Sequence, residues 1–416
     1  MHAKLNPSPE VCVRCKGRLW CGSNCFILEK HAVYDKTVSN IQGLSFSGSS
    51  PPGFFVSRHG YPKVSVAPLS PTEHLKDAWL LDDSDRWFGM PEQEVISFRQ
   101  QLVRSQAYFN AESAASPSYE LLGLQELVMA SKPVDVEVEL KAKPVLDVSF
   151  SDSFAPMGPQ ADLERISNNE NVKVDPRIDS LVSDGDVKAA VAMQELFSKG
   201  IGVNQLHKLL SAGVLGIRKR RRLTPTRWSI TAVDSNLSDY ILEERVKHFP
   251  SMNEILLFES HYLDNHFFVL LLPREWSFEQ LEAWKPGGVW TGGASEPSII
   301  SDYETYAGRK GYADNVAGAY YAARLAVCEY LLAKRRQASA IIFREIGADY
   351  RVPLGVWVVR QTLRDSFSKT SLSFSSFDLA LAYISKRLSI PINYWIKQSK
   401  ILDDATHQKR LADFCP

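Results

Sequence analysis

The sequence predicts a mixed α+β fold, with a small four-cysteine metal-binding head, a two-part α/β body and a flexible C-terminal tail. Apolar residues follow helical spacing in some segments and alternate with charged residues in others, without the regular order of a βαβ series. Four of the six cysteines lie between positions 12 and 25, and the last dozen residues are mostly polar. The head, the body and the tail therefore differ in composition: the head is rich in cysteine, the body has apolar patterns, and the tail is mostly polar.

The composition excludes several classes of protein. The chain has 416 residues, 48 Lys and Arg balanced by 48 Asp and Glu, and 44% hydrophobic residues. These values exclude a disordered chain, a fibrous repeat and a uniformly basic nucleic-acid coat. No apolar run is long enough to cross a bilayer, and the N-terminus lacks the apolar core of a signal peptide. We therefore expect a cytoplasmic protein that has no membrane partner.

In the first half of the chain, apolar spacing predicts helices joined by polar loops. The alternation Val-Asp-Val-Glu-Val-Glu-Leu predicts a strand at 134–140 with one exposed face, and residues 146–150 are its candidate partner. The polar residues 153–176 predict a loop. In chain order, the predicted helices cover 91–106, 118–130, 186–197, 204–210 and 238–247.

In the second half, strand-like runs at 254–262 and 266–272 predict a hairpin with Asp264 and Asn265 in its turn. Closely spaced glycines predict a flexible boundary at 286–293. The remaining predicted elements are the longest helix at 315–337, strands at 338–343 and 356–360, and helices at 377–388 and 395–402.

The clustered cysteines predict a metal site. Cys12, Cys15, Cys21 and Cys25 form a Cys-x2-Cys pair followed by a Cys-x3-Cys pair. Disulfides are rare in a reducing cytoplasm, whereas four thiolates complete the tetrahedral shell of a structural zinc ion. The gap between the pairs is short for a zinc ribbon, so an iron–sulfur cluster is the alternative. Four unrelated free thiols are the remaining interpretation.

Two segments carry cations in patterns that suit nucleic acids. Around residues 54–64, Arg58 and Lys63 are interleaved with aromatic residues, so the cations can hold phosphates while the rings stack on unpaired bases. The alternative is a hairpin whose rings fill the core and whose charges are solvated. The second segment is a run of five cations that can follow a DNA backbone or form a solvated loop. It comprises Arg218, Lys219, Arg220, Arg221 and Arg222.

A third group of charges surrounds the longest predicted helix. Arg309 and Lys310 lie between two glycines just before it, an arrangement that can hold a phosphate with backbone N–H groups and the helix dipole. Arg344 belongs to a dense charged group further along the chain. These cations are candidate ligands of an anionic substrate, and the alternative is a network of ion pairs.

The C-terminal tail contains the spacing Gln-x-x-Leu-x-x-Phe, formed by Gln408, Leu411 and Phe414. A period of three matches a 3₁₀ turn, which places the leucine and the phenylalanine in one apolar plug. Such a plug can dock in the groove of a sliding clamp. A frayed tail without a partner is the alternative.

Several longer stretches resemble the archaeal Nre proteins. They are the cysteine head, Phe-Val-x-Arg-x-Gly-Tyr-Pro-Lys-Val at 55–64, Asp-Ser-Asp-Arg-Trp-Phe-Gly at 83–89, Arg-Arg-Gln-Ala at 335–338 and Pro-Leu-Gly-Val-Trp at 353–357. The resemblance runs from head to tail. It implies a DNA-repair role tied to the archaeal sliding clamp PCNA, and it supplies no accepted catalytic mechanism.

The resemblance also suggests how the chain is organised. It implies an N-terminal Nre region at 28–293, a C-terminal Nre region at 294–403 and a clamp-binding tail at 404–416, after the zinc-binding head that the cysteines predict at 1–27. The tail looks like a PCNA-interacting (PIP) motif. Such motifs usually carry two adjacent aromatic rings, whereas Phe414 is followed here by Cys415, so we expect a modest affinity for PCNA.

Three hypotheses for the function follow. The first is a nucleoid-associated DNA-repair factor that binds DNA through Arg58, Lys63 and the run 218–222 and is recruited to PCNA by its tail. The second is an enzyme that acts on DNA or on a nucleotide-like ligand in a pocket near residues 302–345. The third is a non-catalytic scaffold between PCNA and other repair proteins. Steep salt dependence of DNA affinity favours the first hypothesis.

Overall fold

A computed structural model describes residues 26–145, 157–168, 171–286, 295–350 and 352–407. These residues divide into two compact units, an N-terminal unit that ends at Leu237 and a C-terminal unit that begins at Ser238. Each unit contains one six-stranded sheet together with helices, which confirms the predicted α+β class. Among the described residues, no helix is both long and apolar enough to cross a membrane.

Several predictions concern residues outside these ranges, and they stay predictions. They are the metal site at Cys12, Cys15, Cys21 and Cys25, the strand at 146–150, all but the first residue of the boundary at 286–293, and the clamp-binding residues Gln408, Leu411 and Phe414.

The sheet of the N-terminal unit brings distant segments together. Its strands are β1 (Ser45–Ser50), β2 (Phe54–Val56), β3 (Lys63–Ser70), β4 (Val103–Asn110), β5 (Val134–Leu140) and β6 (Gln160–Asn168). Their order is β1-β5-β6-β4-β3-β2, and only the pair β4–β6 is parallel. The predicted strand at 134–140 is confirmed as β5, in which valine or leucine is buried at every second position and the acidic residues between them are exposed.

Seven helices belong wholly or partly to the N-terminal unit as described. They are α1 (Phe26–Ser39), α2 (Glu92–Gln100), α3 (Tyr119–Met129), α4 (Pro176–Ser183), α5 (Ala189–Ser198), α6 (Val203–Ser211) and α7 (Thr226–Glu244). Capping residues fix several starts: the Ser118 hydroxyl accepts a hydrogen bond from Leu121 N–H at 3.3 Å, and Asp175 precedes the proline that begins α4. The division between the units falls within α7.

Two predictions in this unit are wrong. The helix predicted at 91–106 ends at Gln100, because Val103 and Ser105 are buried in β4 and pair across the sheet rather than continuing the helix. The loop predicted at 153–176 contains β6, which lies between β5 and β4. Most of the β6 side chains are polar and exposed or half-buried, so the sequence carries little sign of a strand.

The C-terminal unit is a three-layer arrangement around its own sheet. The strands are β7 (Ile255–Tyr262), β8 (Asn265–Leu272), β9 (Ser277–Trp284), β10 (Ser298–Glu304), β11 (Ser339–Ile346) and β12 (Leu372–Phe374), in the order β10-β9-β11-β8-β7-β12. The helices are α8 (Gly318–Lys334), α9 (Trp357–Ser368), α10 (Phe377–Ser385), α11 (Ile392–Gln398) and α12 (Lys400–His407). Helices α8 and α9 pack on one face of the sheet, and α10 to α12 cover the other.

The predicted hairpin is confirmed as β7 and β8, with one change in its turn. Leu263 and Asp264 occupy the turn with φ of 49° and 53°, and Asn265 already pairs in β8. The strand predicted at 338–343 is confirmed as part of β11. The strand predicted at 356–360 is wrong, because these residues begin α9, where nearly every side chain of the first two turns is buried.

Candidate nucleic-acid interface

The loop between β2 and β3 presents part of the predicted DNA-binding segment to solvent. Phe54 and Val56 point into the core, with 3% and 1% of their surface exposed. Beyond β2, the chain turns outward, and Arg58, Tyr61 and Lys63 are exposed. The segment therefore combines both interpretations of its sequence: one aromatic ring fills the core, while another stands beside the cations on the surface.

The first turn of α7 lies beside this loop. Val56 N–H donates a hydrogen bond to Thr226 Oγ1 at 2.9 Å, which ties the end of β2 to the start of the helix. Two residues further on, the Trp228 ring packs against Tyr61 with 5.1 Å between the ring centroids. Trp228 and Tyr61 are still 45% and 41% exposed, so the pair leaves a large aromatic area accessible.

Two backbone hydrogen bonds bring the cationic run next to the same loop. Ala111 N–H donates to the Pro62 carbonyl at 2.7 Å, and Leu223 N–H donates to the Ala111 carbonyl at 2.8 Å. Lys63 and Arg222 are therefore each next to a residue that is hydrogen-bonded to Ala111. Arg222 also forms an exposed ion pair with Glu112, with 2.9 Å between Nη2 and Oε1.

The five cations of the run do not behave alike. Arg218, Lys219 and Arg220 form an exposed 3₁₀ turn. Arg221 points inward, where its guanidinium donates to the carbonyls of Gly216 at 2.9 Å and Val182 at 2.6 Å. Burial, and secondarily the neighbouring Arg218 charge, lower the pKa of Arg221. Arg221 therefore anchors the loop to the C-terminal end of α4, and its neighbours carry the accessible charge.

These exposed residues form a group that we call the basic–aromatic surface. It combines the exposed pair of rings with four exposed cations of the N-terminal unit. Its members are Arg58, Tyr61, Lys63, Arg222, Arg227 and Trp228. The surface can hold phosphates on its cations and stack unpaired bases on its rings.

Two members, Arg227 and Trp228, are absent from the sequence prediction. The available signal was the Thr-Pro-Thr stretch before them, since proline is favoured in the first turn of a helix. That signal locates a helix start directly after the cationic run. It does not reveal that the new turn packs against a loop more than 150 positions earlier in the chain.

The cations of the predicted phosphate site differ in exposure and in their partners within the chain. Arg309 donates to the Tyr303 carbonyl at 2.7 Å and pairs with Asp302 at 3.0 Å. Arg344 is buried and donates to Glu282 Oε1 at 2.8 Å and to Asn265 Oδ1. Lys310 remains exposed. Both arginines therefore form intramolecular ion pairs.

The described residues also contain no group of three or more His, Cys, Asp or Glu side chains that could hold a metal ion. Cys328, a described cysteine, is buried in α8, and burial raises the pKa of its thiol well above the usual range. It is therefore held as a neutral packing residue.

Comparison with known proteins places these features in a family context. The family "Archaeal Nre, N-terminal" matches residues 20–291, and "Archaeal Nre, C-terminal" matches residues 304–414. The chain is 39% identical over 378 residues to DNA repair protein NreA of Archaeoglobus fulgidus, covering 91% of this chain and 93% of that protein. It is 34% identical over 391 residues to DNA repair protein NreB of the same organism, covering 94% and 96%.

A third relative comes from another organism. The chain is 36% identical over 367 residues to DNA repair protein NreA of Haloferax volcanii, covering 86% of each protein. No solved structure matches the chain. The similarity thus extends over nearly the whole length of proteins that are named for DNA repair.

Proposed function

The chain belongs to the archaeal Nre family, and on that basis we propose that it is a DNA-repair factor that binds DNA and is recruited to PCNA. In this proposal, the basic–aromatic surface supplies the DNA contacts, and the tail with Gln408, Leu411 and Phe414 supplies the clamp contact. Binding to DNA also associates the protein with the nucleoid.

The observation that carries the DNA-binding proposal is the convergence of two cationic segments around an exposed aromatic pair. Arg58 and Lys63 come from the β2–β3 loop, and Arg222 and Arg227 flank the start of α7. If these segments were only solvated loops, their cations would not need to lie close to one another. Phosphates carry one negative charge per nucleotide, so cations arranged around rings match a strand whose bases are partly unpaired.

The exposed turn of Arg218, Lys219 and Arg220 extends the same positive charge along the chain. In the proposal, it contacts the DNA backbone beyond the aromatic pair. Arg221 supports this arrangement by fixing the loop rather than by touching DNA, because its donors are bound to carbonyl groups.

Salt dependence is the direct test of the DNA-binding proposal. If the four cations of the basic–aromatic surface neutralise phosphates on single-stranded DNA, they contribute about −3 to the slope of the logarithm of affinity against the logarithm of salt. Between 50 and 200 mM salt, this corresponds to a loss of roughly 50-fold in affinity. Fluorescence anisotropy with a labelled oligonucleotide measures the slope. A slope near zero would contradict a phosphate-contacting surface.

The clamp proposal depends mainly on Phe414. We expect Phe414→Ala to weaken binding to PCNA by roughly 30-fold, because an anchor residue of an apolar plug contributes about 2 kcal/mol. Calorimetry of the full chain with PCNA measures this change. We expect Cys415→Phe to strengthen binding, since it restores the second ring that clamp-binding tails usually carry.

The matched control for the tail is Lys409→Ala, which changes a position between the motif residues. We expect it to alter the affinity for PCNA by less than about threefold, as for most residues outside an anchor. Equal affinities of the wild type and Phe414→Ala would show that the tail does not dock through this plug.

For the head, we propose that Cys12, Cys15, Cys21 and Cys25 bind one zinc ion. Four thiolates in closely spaced pairs are a complete set of structural zinc ligands. Elemental analysis of the purified chain should then give about one zinc per molecule, and Cys15→Ser should lower this content. Iron and inorganic sulfide in place of zinc would favour the iron–sulfur alternative.

A further inference from the structure

The N-terminal unit contains a cavity of about 720 Å³ that is separate from the basic–aromatic surface in sequence. Its walls come from the 3₁₀ turns around residues 78–86, the α3–β5 turn, α4 and the start of α6. This volume lies within the range of small-molecule binding sites. Its lining includes Trp79, Asp83, Asp85, Arg86, Lys132 and Lys208.

One wall of the cavity is rigidly built around Asp82. This carboxylate is 7% exposed and forms ion pairs with Arg99 and with Lys208, the latter at 2.9 Å between Oδ2 and Nζ. Asn204 Nδ2 donates to the Asp82 carbonyl at 2.9 Å. The Lys208 side chain, also 7% exposed, is therefore held at the cavity lining by Asp82.

A second wall offers a flat aromatic face. Trp79 is half-buried, and the Arg86 guanidinium lies over its ring at 4.5 Å from the centroid. The Arg86 side chain lies at the surface, with 65% of its area exposed to solvent. A nucleobase is planar like the guanidinium, and bases stack on both tryptophan rings and arginine planes.

Between these walls lie two carboxyl groups. Asp85 Oδ2 accepts a hydrogen bond from Asn204 N–H at 3.2 Å, and Arg86 Nε pairs with Asp83 Oδ2 at 3.2 Å. Burial, and then the nearby Asp85 charge, raise the pKa of Asp83. Carboxyl oxygens accept hydrogen bonds from the amino groups on base edges.

The charges of the lining limit what the cavity can hold. The lining carries both signs of charge, and most of them are paired: Asp83 with Arg86, Asp175 with Arg177, and Lys208 with Asp82. A simple anion would face the carboxylates, and a metal ion would need three suitable ligands, which no group in the described part of the chain provides. A nucleotide matches this lining, because its neutral base can face the carboxyl groups while its phosphate faces the cations.

We propose that this cavity binds a single unpaired nucleotide whose base replaces the Arg86 guanidinium on the Trp79 ring. Its base edge then lies at the Asp83 carboxyl group, and its phosphate lies near Lys132 and the displaced, solvent-exposed Arg86. The nucleotide is either part of a DNA strand or free in solution. The first source depends on the DNA-binding function proposed above, and the second does not.

The position of the cavity favours a nucleotide in DNA. Asn204 lies at the cavity near the start of α6, and Ser211 ends the helix with its hydroxyl 3.0 Å from Ser229 Oγ. Ser229 follows Trp228 of the basic–aromatic surface. The nine residues of α6 span roughly 13 Å, which is the length of about four nucleotides at 3.4 Å per nucleotide of one strand.

Two measurements on the full-length chain test the proposal. The first compares a DNA duplex that contains one bulged 2-aminopurine with the same duplex in which this base is paired. We expect the wild type to prefer the bulged duplex about tenfold, and Trp79→Ala to lose that preference without losing affinity for the paired duplex. The second is calorimetric titration with each of the four deoxynucleoside monophosphates, whose binding should also be lost in Trp79→Ala.

Matched variants separate the cavity from the surface and from misfolding. Trp79→Phe retains a ring and should keep most of the preference, and Asp83→Asn should change which base is preferred. Arg58→Ala should weaken binding of both duplexes equally. Thermal melting confirms that each variant is folded.

The outcomes distinguish the two proposals. A preference for the bulge that depends on Trp79 supports a nucleotide in DNA, and binding of monophosphates alone supports a free nucleotide. If the chain binds no DNA, the function proposed above fails, but Trp79-dependent binding of a monophosphate still supports the cavity. The cavity proposal is overturned if neither measurement depends on Trp79.

Discussion

Replacing four cations of the basic–aromatic surface with alanine should weaken DNA binding about 100-fold at 100 mM salt, with little change in stability. The variant combines Arg58→Ala, Lys63→Ala, Arg222→Ala and Arg227→Ala. The reason is electrostatic: each lost phosphate contact removes counterion release, so the salt slope should also fall by about three. All four side chains are exposed, and replacing exposed side chains usually changes stability little.

A second quadruple variant provides the control. It removes the same number of charges from exposed lysines elsewhere in the N-terminal unit, namely Lys76, Lys141, Lys143 and Lys188. We expect this control to retain DNA affinity within about threefold, because net charge alone acts weakly at this ionic strength. Anisotropy titrations of both variants make the comparison. Equal losses in the two would show that DNA binding is not localised on this surface.

A triple variant of Arg218, Lys219 and Arg220 divides the cationic run by its structure. These side chains are exposed in one 3₁₀ turn, whereas Arg221 is bound to the carbonyls of Gly216 and Val182. The triple variant should therefore lower affinity without unfolding the loop. Arg221→Ala is expected instead to lower stability, since it leaves carbonyl groups at the end of α4 without their donor.

The basic–aromatic surface shows what the sequence can and cannot reveal. Arg58, Lys63 and the run ending at Arg222 are recognisable because each is a local pattern of charge. Their convergence depends on the backbone bonds of Ala111, which join segments far apart in the chain. No local pattern encodes such bonds, so the sequence predicts the ingredients of the surface but not the surface.

The same distinction explains the errors in the fold. Strand β5 was predictable because its valines are buried and its acidic residues exposed in strict alternation. Strand β9 has no such signal, since Glu279, Gln280 and Glu282 are all buried. Glu279 accepts hydrogen bonds from the backbone N–H groups of Lys400 and Ile401 at the start of α12. Tertiary partners thus allow acidic residues inside a strand, and those partners are invisible to periodicity.

Helix α9 illustrates the opposite error. Its first residues, Val-Trp-Val-Val-Arg at 356–360, are β-branched or aromatic for the most part and predict a strand. In the fold, this segment packs between the sheet and α8, and its residues from Trp357 to Arg360 are buried. Burial on most sides removes the amphipathic spacing by which a helix is recognised. Packing decides the structure here, against local propensity.

The largest expected effect on stability comes from Asp82→Ala. We expect it to lower the free energy of unfolding by about 3–5 kcal/mol, because it leaves the cations of Arg99 and Lys208 without their carboxylate. Both the Asp82 and Lys208 side chains are 7% exposed, so water cannot readily replace the lost partner. Urea unfolding followed by circular dichroism measures the change, and hydrogen–deuterium exchange should show faster exchange in α6.

Two variants determine whether the effect belongs to the ion pair. Asp77→Ala removes an exposed carboxylate just before the same 3₁₀ turn, where its side chain makes no capping hydrogen bond, and should change stability by less than about 0.5 kcal/mol. Adding Lys208→Met to Asp82→Ala should recover part of the loss, because it removes one of the stranded charges. If Asp82→Ala behaves like Asp77→Ala, the buried pair contributes nothing to stability. In that case the Asp82 ion pairs would not account for the position of Lys208 at the cavity.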